Sequence, residues 1–176
     1  MARPSQPDDR ASPGVAADAS ALASRSFFAK FRELTVSEVI ALGEALVLIA
    51  LSAPAIRLVK FRTLGRLASL RLRRAIPEAD RAAVVQRVTW AVDRAAKRAP
   101  GRAMCFERGL SAQIMLRRRG VDSTMFYGVG HETTGALAAH VWVLDRGVDV
   151  AGGEQAPQYA ALASFPDGRL TSGAAS

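Results

Sequence analysis

The chain has 176 residues, of which 49% are hydrophobic, and its 24 Lys and Arg against 16 Asp and Glu give a net charge of +8. This length accommodates one domain with extensions, and the apolar fraction is large enough for a hydrophobic core. A single cysteine excludes an internal disulfide, so the fold does not require an oxidising compartment. The basic excess carries no aromatic-interleaved motif and no zinc-ligand spacing, so nucleic-acid binding is not expected.

The N-terminal residues are rich in Ala, Ser, Pro and Asp and show no hydrophobic periodicity. This composition predicts a disordered tail over residues 1–26, and the Gly, Ser and Ala at the other end predict a second tail over residues 167–176. The first tail has no apolar stretch of the kind found in secretory signals. A cytoplasmic location is therefore expected.

A helical segment is predicted over residues 27–76. Thr35 and Glu38 have the spacing of a capping box, which predicts a helix from Val36 to about Leu51, with Pro54 ending or kinking it. The apolar part of this helix is shorter than the ~20 residues that a membrane span needs. We therefore expect a buried helix and no membrane association, with a helix lying on a membrane surface as the alternative.

Residues 55–75 place Arg and Leu on opposite faces of a further helical pattern. The pattern predicts a basic amphipathic helix. Either its cations form a solvated face above a core stripe, or they form a docking surface for an acidic peptide, a protein or a lipid headgroup. After Pro77, which suits the first position of a helix, residues 78–99 predict another helix, with Trp90 at the edge of its apolar stripe.

The single cysteine opens the next amphipathic stretch. Pro100 and Gly101 interrupt the preceding helix, and residues 117–119, all Arg and followed by Gly120, are helix-stop signals. Cys105 is therefore predicted in the first turn of a helix, where the positive end of the helix dipole favours a thiolate. The alternative is a small, buried apolar residue.

After this helix the hydrophobic period changes from helical to strand-like. Strands are predicted over Ser123–Val129, Ala138–Leu144 and Val148–Ala151, with a hairpin loop over His131–Leu137 and a turn at residues 145–147. The last third of the chain is thus an antiparallel sheet beside the cysteine helix, and the fold class is predicted to be α+β.

Two histidines are available as a catalytic base. His131 lies in the predicted loop, whereas His140 lies in the second strand on the same face as Trp142. His140 is either a core histidine bonded to a backbone carbonyl or a general base directed at Cys105. A cysteine at a helix N-terminus, followed by a histidine on a neighbouring strand, is the arrangement of papain-like enzymes.

Three segments resemble the transglutaminase-like cysteine peptidases of lasso-peptide biosynthesis. They are residues 102–121 around Cys105, Phe126-Tyr-Gly-Val129 and Ala139-His140-Val-Trp142-Val. The resemblance extends over residues 34–165 and implies a papain-like, transglutaminase-like core, which we assign to residues 77–166, behind an N-terminal helical layer. It also implies that Cys105 is the nucleophile and His140 the base.

The resemblance implies a function as well: removal of the leader from a ribosomally synthesised lasso-peptide precursor. A small leader-recognition protein would present the leader, and an asparagine-synthetase-like cyclase would then close the ring. No cofactor and no metal are expected. The alternatives are a non-catalytic module of the same fold that binds a peptide or partner, and a peripheral membrane protein that uses the basic helix.

The third catalytic group departs from the family's pattern, which places an acid near the position of Gly152. The acids available are Asp149, Asp145 and Glu154, and Asp149 is assigned as the third catalytic residue. Its strand parity differs from that of Gly152, so a bulge would be needed to turn it towards the histidine. A water or a backbone carbonyl is the alternative orienting group. The backbone N–H of Cys105 is expected to hold the oxyanion.

Overall fold

The structure is a computed structural model that describes residues 34–99, 104–131 and 135–166. The tails predicted over residues 1–26 and 167–176 and the helix break at Pro100 and Gly101 lie outside these residues, and the boundary drawn between residues 76 and 77 stays a prediction. The described residues from Ser37 onward form one compact unit. Within the described ranges, four α-helices precede a four-stranded antiparallel sheet, which confirms the α+β class.

The helices are α1 (Val36–Leu58), α2 (Phe61–Ala68), α3 (Glu78–Ala96) and α4 (Cys105–Arg118). The strands are β1 (Thr124–His131), β2 (Leu137–Asp145), β3 (Val148–Ala151) and β4 (Ala160–Phe165), with a 3₁₀ helix over Gly153–Gln158. The sheet order is β3-β2-β1-β4, so β2 has a neighbour on each side. β1 and β2 each extend by one residue into the predicted hairpin loop, at His131 and Leu137.

Helix α1 begins at the residue that the capping box predicts and continues past Pro54 for one more turn. Proline has no N–H to donate to the carbonyl of Ala50, four residues earlier. Because Ala50 is exposed, water can bond that carbonyl, and the helix tolerates the missing hydrogen bond.

The expectation that α1 is a buried helix is wrong. One face of α1, with Ala41, Leu42, Ala45 and Ile49, lies in the core at 3% exposure or less. Only 28% of its most apolar stretch is buried, however, and by length and composition alone α1 could cross a membrane. A helix buries only the face that touches its neighbours, and a sequence that is apolar all round does not reveal which face that is.

The predicted basic helix over residues 55–75 is interrupted. The backbone of Lys60 is extended, at φ −58° and ψ 134°, and it separates the end of α1 from the short helix α2. Beyond α2 the chain is irregular because it bonds to the end of α4. The Arg117 side chain donates to the carbonyl of Ser69 at 2.9 Å, and the Ile76 N–H donates to the carbonyl of Gly120 at 3.4 Å.

The core lies between the helices and one face of the sheet. Its fully buried members include Val88, Ala91, Val92 and Ala95 from α3, Ala112, Met115 and Leu116 from α4, and Met125 and Val143 from the sheet. Helix α4 crosses β2 so closely that a Cβ on Gly109 would lie 2.5 Å from Cγ1 of Val141. This contact fixes the cysteine helix against the strand that carries His140.

Strand β4 was not predicted. Its sequence, AALASF, lacks the β-branched residues that favour strands. It forms because it pairs with β1, with an irregularity between Tyr127 and Gly128, and because Phe165 packs against Phe61 with ring centroids 5.5 Å apart. Tertiary contacts therefore decide this strand rather than its local pattern.

Candidate active site

Cys105 is the first residue of α4, and Met104 is the N-cap. The thiol is half-buried, and Sγ lies 3.9 Å from the carbonyl oxygen of Ala139 on β2. The N–H of Arg108 donates to the carbonyl of Met104 at 3.3 Å and begins the helical ladder. The N–H groups before it have no acceptor within the helix, so they can hold a negative charge beside the sulfur.

The sulfur therefore lies beside the peptide bond that joins Ala139 to His140. His140 is 4% exposed and pairs with Gly128 across β1 and β2. The structure thus brings the N-terminus of α4 to the part of β2 that bears the histidine, and the catalytic pairing of the two side chains stays a prediction. His131, the other histidine, is exposed at the far end of β1.

One hydrogen bond orients the His140 imidazole. Nε2 lies 2.8 Å from the carbonyl oxygen of Gly152. Because a carbonyl can only accept, the proton of the neutral ring resides on Nε2. Nδ1 then carries the lone pair and is the nitrogen that can take up a proton.

The carbonyl of Gly152 reaches the imidazole only because this residue is glycine. Gly152 has φ 77°, which side chains disfavour, and a Cβ there would lie 2.9 Å from the carbonyl oxygen of Val141 and 3.2 Å from Nε2 of His140. The left-handed turn after β3 therefore sets the orientation of the histidine.

Two aromatic rings stack on His140. The Tyr159 ring lies 4.8 Å from the imidazole centroid at 27°, and the Trp142 ring lies 6.0 Å away at 16°. Trp142 in turn stacks on Phe126 at 5.5 Å. The stacked rings pack against the imidazole and help to fix the plane of its ring. Sequence reasoning missed Tyr159, whose only signal is an isolated aromatic residue just after Pro157.

The three candidate acids, Asp149, Asp145 and Glu154, either bond to other groups or are exposed to solvent. Asp149 is exposed on β3, and its Oδ1 accepts the N–H of Gly153 at 2.8 Å. β3 does carry an irregularity, since Leu144 pairs with Asp149 whereas Val143 pairs with Ala151. The hydrogen bond of His140 nevertheless goes to the Gly152 carbonyl.

Asp145 is buried in an ion pair with Arg81, whose Nε donates to Oδ2 at 2.9 Å. Glu154 is exposed on the 3₁₀ helix. A backbone carbonyl thus lies at the position where the sequence suggests an acid, and the catalytic role of Asp149 stays a prediction. Among the described residues, no group of three or more His, Cys, Asp or Glu could hold a metal ion.

A thiol at the start of a helix, next to a strand that bears a histidine, is the arrangement found in papain-like thiol enzymes. Comparison with protein families agrees with this class. A sequence model described as the Transglutaminase-like superfamily matches residues 45–164, which is more than half of the chain. The chain therefore belongs to this superfamily, which includes cysteine proteases. No curated protein and no solved structure matches the chain.

Proposed function

We propose that this protein is a cysteine peptidase that removes the leader from a ribosomally synthesised lasso-peptide precursor. The observation that carries the chemistry is the position of Cys105 at the start of α4, next to the strand on which the Gly152 carbonyl orients His140. Membership of the superfamily is compatible with cysteine peptidase activity. The substrate rests on the resemblance of the Cys105 and His140 segments to lasso-peptide leader peptidases.

In the proposed first step, Nδ1 of His140 takes the thiol proton of Cys105 as the sulfur attacks the scissile carbonyl carbon. The new C–S bond turns the carbonyl oxygen into an oxyanion. The N–H groups at the start of α4, including that of Cys105, donate to this oxygen and stabilise the developing charge.

The tetrahedral intermediate then breaks its C–N bond, and the leaving amine of the core peptide takes the proton from Nδ1. The leader remains as a thioester on Cys105. Water attacks this thioester while Nδ1 accepts its proton, and the proton returns to the departing sulfur. Leader acid and free thiol are the products.

In this proposal the Gly152 carbonyl replaces the usual acid as the orienting group. A neutral acceptor stabilises an imidazolium less than a carboxylate does, so the stacked rings of Tyr159 and Trp142 serve here only to hold the imidazole in place. Asp149 supports the arrangement from outside, because its carboxylate holds the N–H of Gly153 and so the turn that presents the carbonyl.

The proposed partners follow from the same function. A small leader-recognition protein presents the leader to the peptidase. An asparagine-synthetase-like cyclase receives the released core peptide, whose new amino terminus is the group that a ring-closing enzyme needs.

Mass spectrometry of a precursor incubated with this protein and a leader-recognition protein tests the proposal. We expect a mass loss equal to the leader, and we expect Cys105→Ala to lower the cleavage rate by about 10³-fold or more. Met104→Ala is the matched control, since Met104 is the exposed neighbour and lacks a thiol. An intact precursor would leave a non-catalytic binding module of the same fold, and unchanged cleavage by Cys105→Ala would contradict Cys105 as the nucleophile.

The role of Asp149 has a separate test. Asp149→Asn keeps an acceptor oxygen for the Gly153 N–H, so we expect kcat to stay within about threefold of wild type. A fall of about 10²-fold or more in kcat, with unchanged thermal stability, would instead establish Asp149 as the third catalytic residue.

A further inference from the structure

Helix α1 exposes an apolar stripe that the proposed peptidase function does not use. Ile40, Val47, Leu51 and Leu58 are 62%, 58%, 60% and 84% exposed. They are spaced by seven, four and seven residues, which places them on one face of the helix. Gly43 and Pro54 share this face, and Glu44 lies at its edge.

Contacts on the other side of α1 hold the helix on the protein with this stripe facing outward. The opposite face of α1 is packed in the core. Glu44 also pairs with Arg119 at 2.5 Å and with Arg118 at 3.3 Å. The helix is thus held lengthwise on the surface with its apolar face outward, a geometry that marks an interaction site.

The surface that continues from α1 is basic and partly apolar. Between Glu44 and Glu78 the chain has seven Arg and Lys residues and no acidic residue. Leu67, Leu70 and Leu72 are exposed among these cations. Such a surface fits a partner that offers both negative charge and an apolar layer.

A cavity lined by arginine adjoins the stripe. It has a volume of about 350 Å³ and is lined by Glu44, Leu72, Arg73, Arg118 and Arg119. Glu44 lies four residues after Ile40 and three before Val47, so the cavity borders the apolar face of α1. Three guanidinium groups against one carboxylate leave an excess of donors, and guanidinium groups suit phosphate oxygens.

We propose that the α1 stripe and this arginine cavity form a binding surface for an anionic lipid membrane. The stripe enters the boundary between headgroups and acyl chains, and the cavity takes a lipid phosphate. A second copy of this chain fits less well, because it would bring two surfaces of like charge together. The proposal does not depend on peptidase activity.

Vesicle flotation tests the proposal on the full chain. We expect the protein to float with vesicles of phosphatidylcholine and phosphatidylglycerol at low salt, and far less with pure phosphatidylcholine or at high salt. Val47→Glu combined with Leu51→Glu should lower the partition coefficient about tenfold or more. The matched control is Val148→Glu, at an apolar residue on β3 that is 62% exposed, and it should bind as wild type does.

Two further double variants test how much the arginine charges contribute to vesicle binding. Arg73→Gln combined with Arg118→Gln should weaken binding to the anionic vesicles by about fivefold per arginine. Lys97→Gln combined with Arg98→Gln removes the same charge from the end of α3 and should change binding less than twofold. If both double variants weaken binding equally, the cavity does not bind the lipid phosphate.

Three results would overturn the membrane proposal. The first is wild-type protein that stays in solution with anionic vesicles at low salt. The second is a dimer, detected by light scattering, that the α1 double variant dissociates, since a second copy would then cover the stripe. The third is loss of binding to a leader-recognition protein in that variant, since a protein partner would then cover the stripe. Circular dichroism confirms that each variant is folded, and precursor cleavage by the α1 variant should match wild type.

Discussion

At the scale of single residues, the imidazole of His140 depends on a backbone atom, the carbonyl oxygen of Gly152. A side-chain acceptor can be removed without moving the chain, but a carbonyl moves only with the turn that carries it. The backbone of this turn therefore orients the imidazole, a role that a carboxylate has in Ser-His-Asp triads.

Gly152→Ala tests this dependence. The left-handed φ of 77° disfavours alanine by about 1–2 kcal/mol, and the new Cβ would press on Val141 and on the imidazole. We expect kcat for precursor cleavage to fall about 10- to 100-fold. Gly147→Ala is the control, because Gly147 has a similar φ of 84° but nothing lies within 4 Å of its Cβ position. Equal losses of activity in the two variants would contradict a positioning role for Gly152.

Tyr159 offers a second test at this scale. Its ring stacks on the imidazole, so Tyr159→Phe keeps the contact and Tyr159→Ala removes it. We expect the Phe variant to retain kcat within about twofold and the Ala variant to lose about tenfold. An Ala variant with wild-type kcat would show that the ring does not position the imidazole.

At the scale of elements, a buried ion pair joins α3 to the end of β2. The side chains of Arg81 and Asp145 are 9% and 8% exposed, and the hydrogen bond that Arg81 donates to the Asp145 carboxylate raises the pKa of the guanidinium above its ordinary value. The desolvation of such a pair is costly, so breaking it by changing one partner is strongly destabilising.

Asp145→Asn should therefore lower the free energy of unfolding in urea by about 3–5 kcal/mol, since Arg81 would remain buried without its counter-charge. The double variant Arg81→Met with Asp145→Leu should recover most of this loss. Under conditions where Asp145→Asn is folded, its kcat should equal that of wild type. A selective loss of kcat without loss of stability would instead indicate that Asp145 serves the reaction.

At the scale of the whole molecule, Asp122 ties the segment after α2 to the connection between α4 and β1. It pairs with Arg71 and also accepts a hydrogen bond from Arg117 at 2.8 Å. The hydrogen bond from Arg71 lowers the pKa of Asp122 below its ordinary value. A lowered folded-state pKa adds stability above the unfolded pKa of about 3.9, and this stability is lost as pH falls through the folded value.

We therefore expect wild type to lose its stability advantage over Asp122→Asn as the pH is lowered from about 5 to below the folded pKa. Because Asp122 is about half exposed, the difference at neutral pH should not exceed about 1 kcal/mol. Thermal unfolding of both proteins across this pH range measures it. A stability difference between the two proteins that stays constant with pH would contradict an ionic origin of the Asp122 contribution.

The sequence by itself determined the local features. A capping box placed the start of α1, helix-stop signals and periodicity placed Cys105 in the first turn of α4, and the change of period placed three strands. These signals depend on neighbours a few residues apart, so they persist whatever the rest of the chain does.

Only the tertiary structure decided the partner of His140, the exposed face of α1 and the existence of β4. The Gly152 carbonyl reaches the imidazole through a left-handed turn and a strand register that no local pattern encodes. The buried face of α1 and the pairing of β4 depend on surfaces supplied by distant segments. Burial and pairing are properties of assembled surfaces, and a one-dimensional pattern of apolar residues cannot say which of them meet.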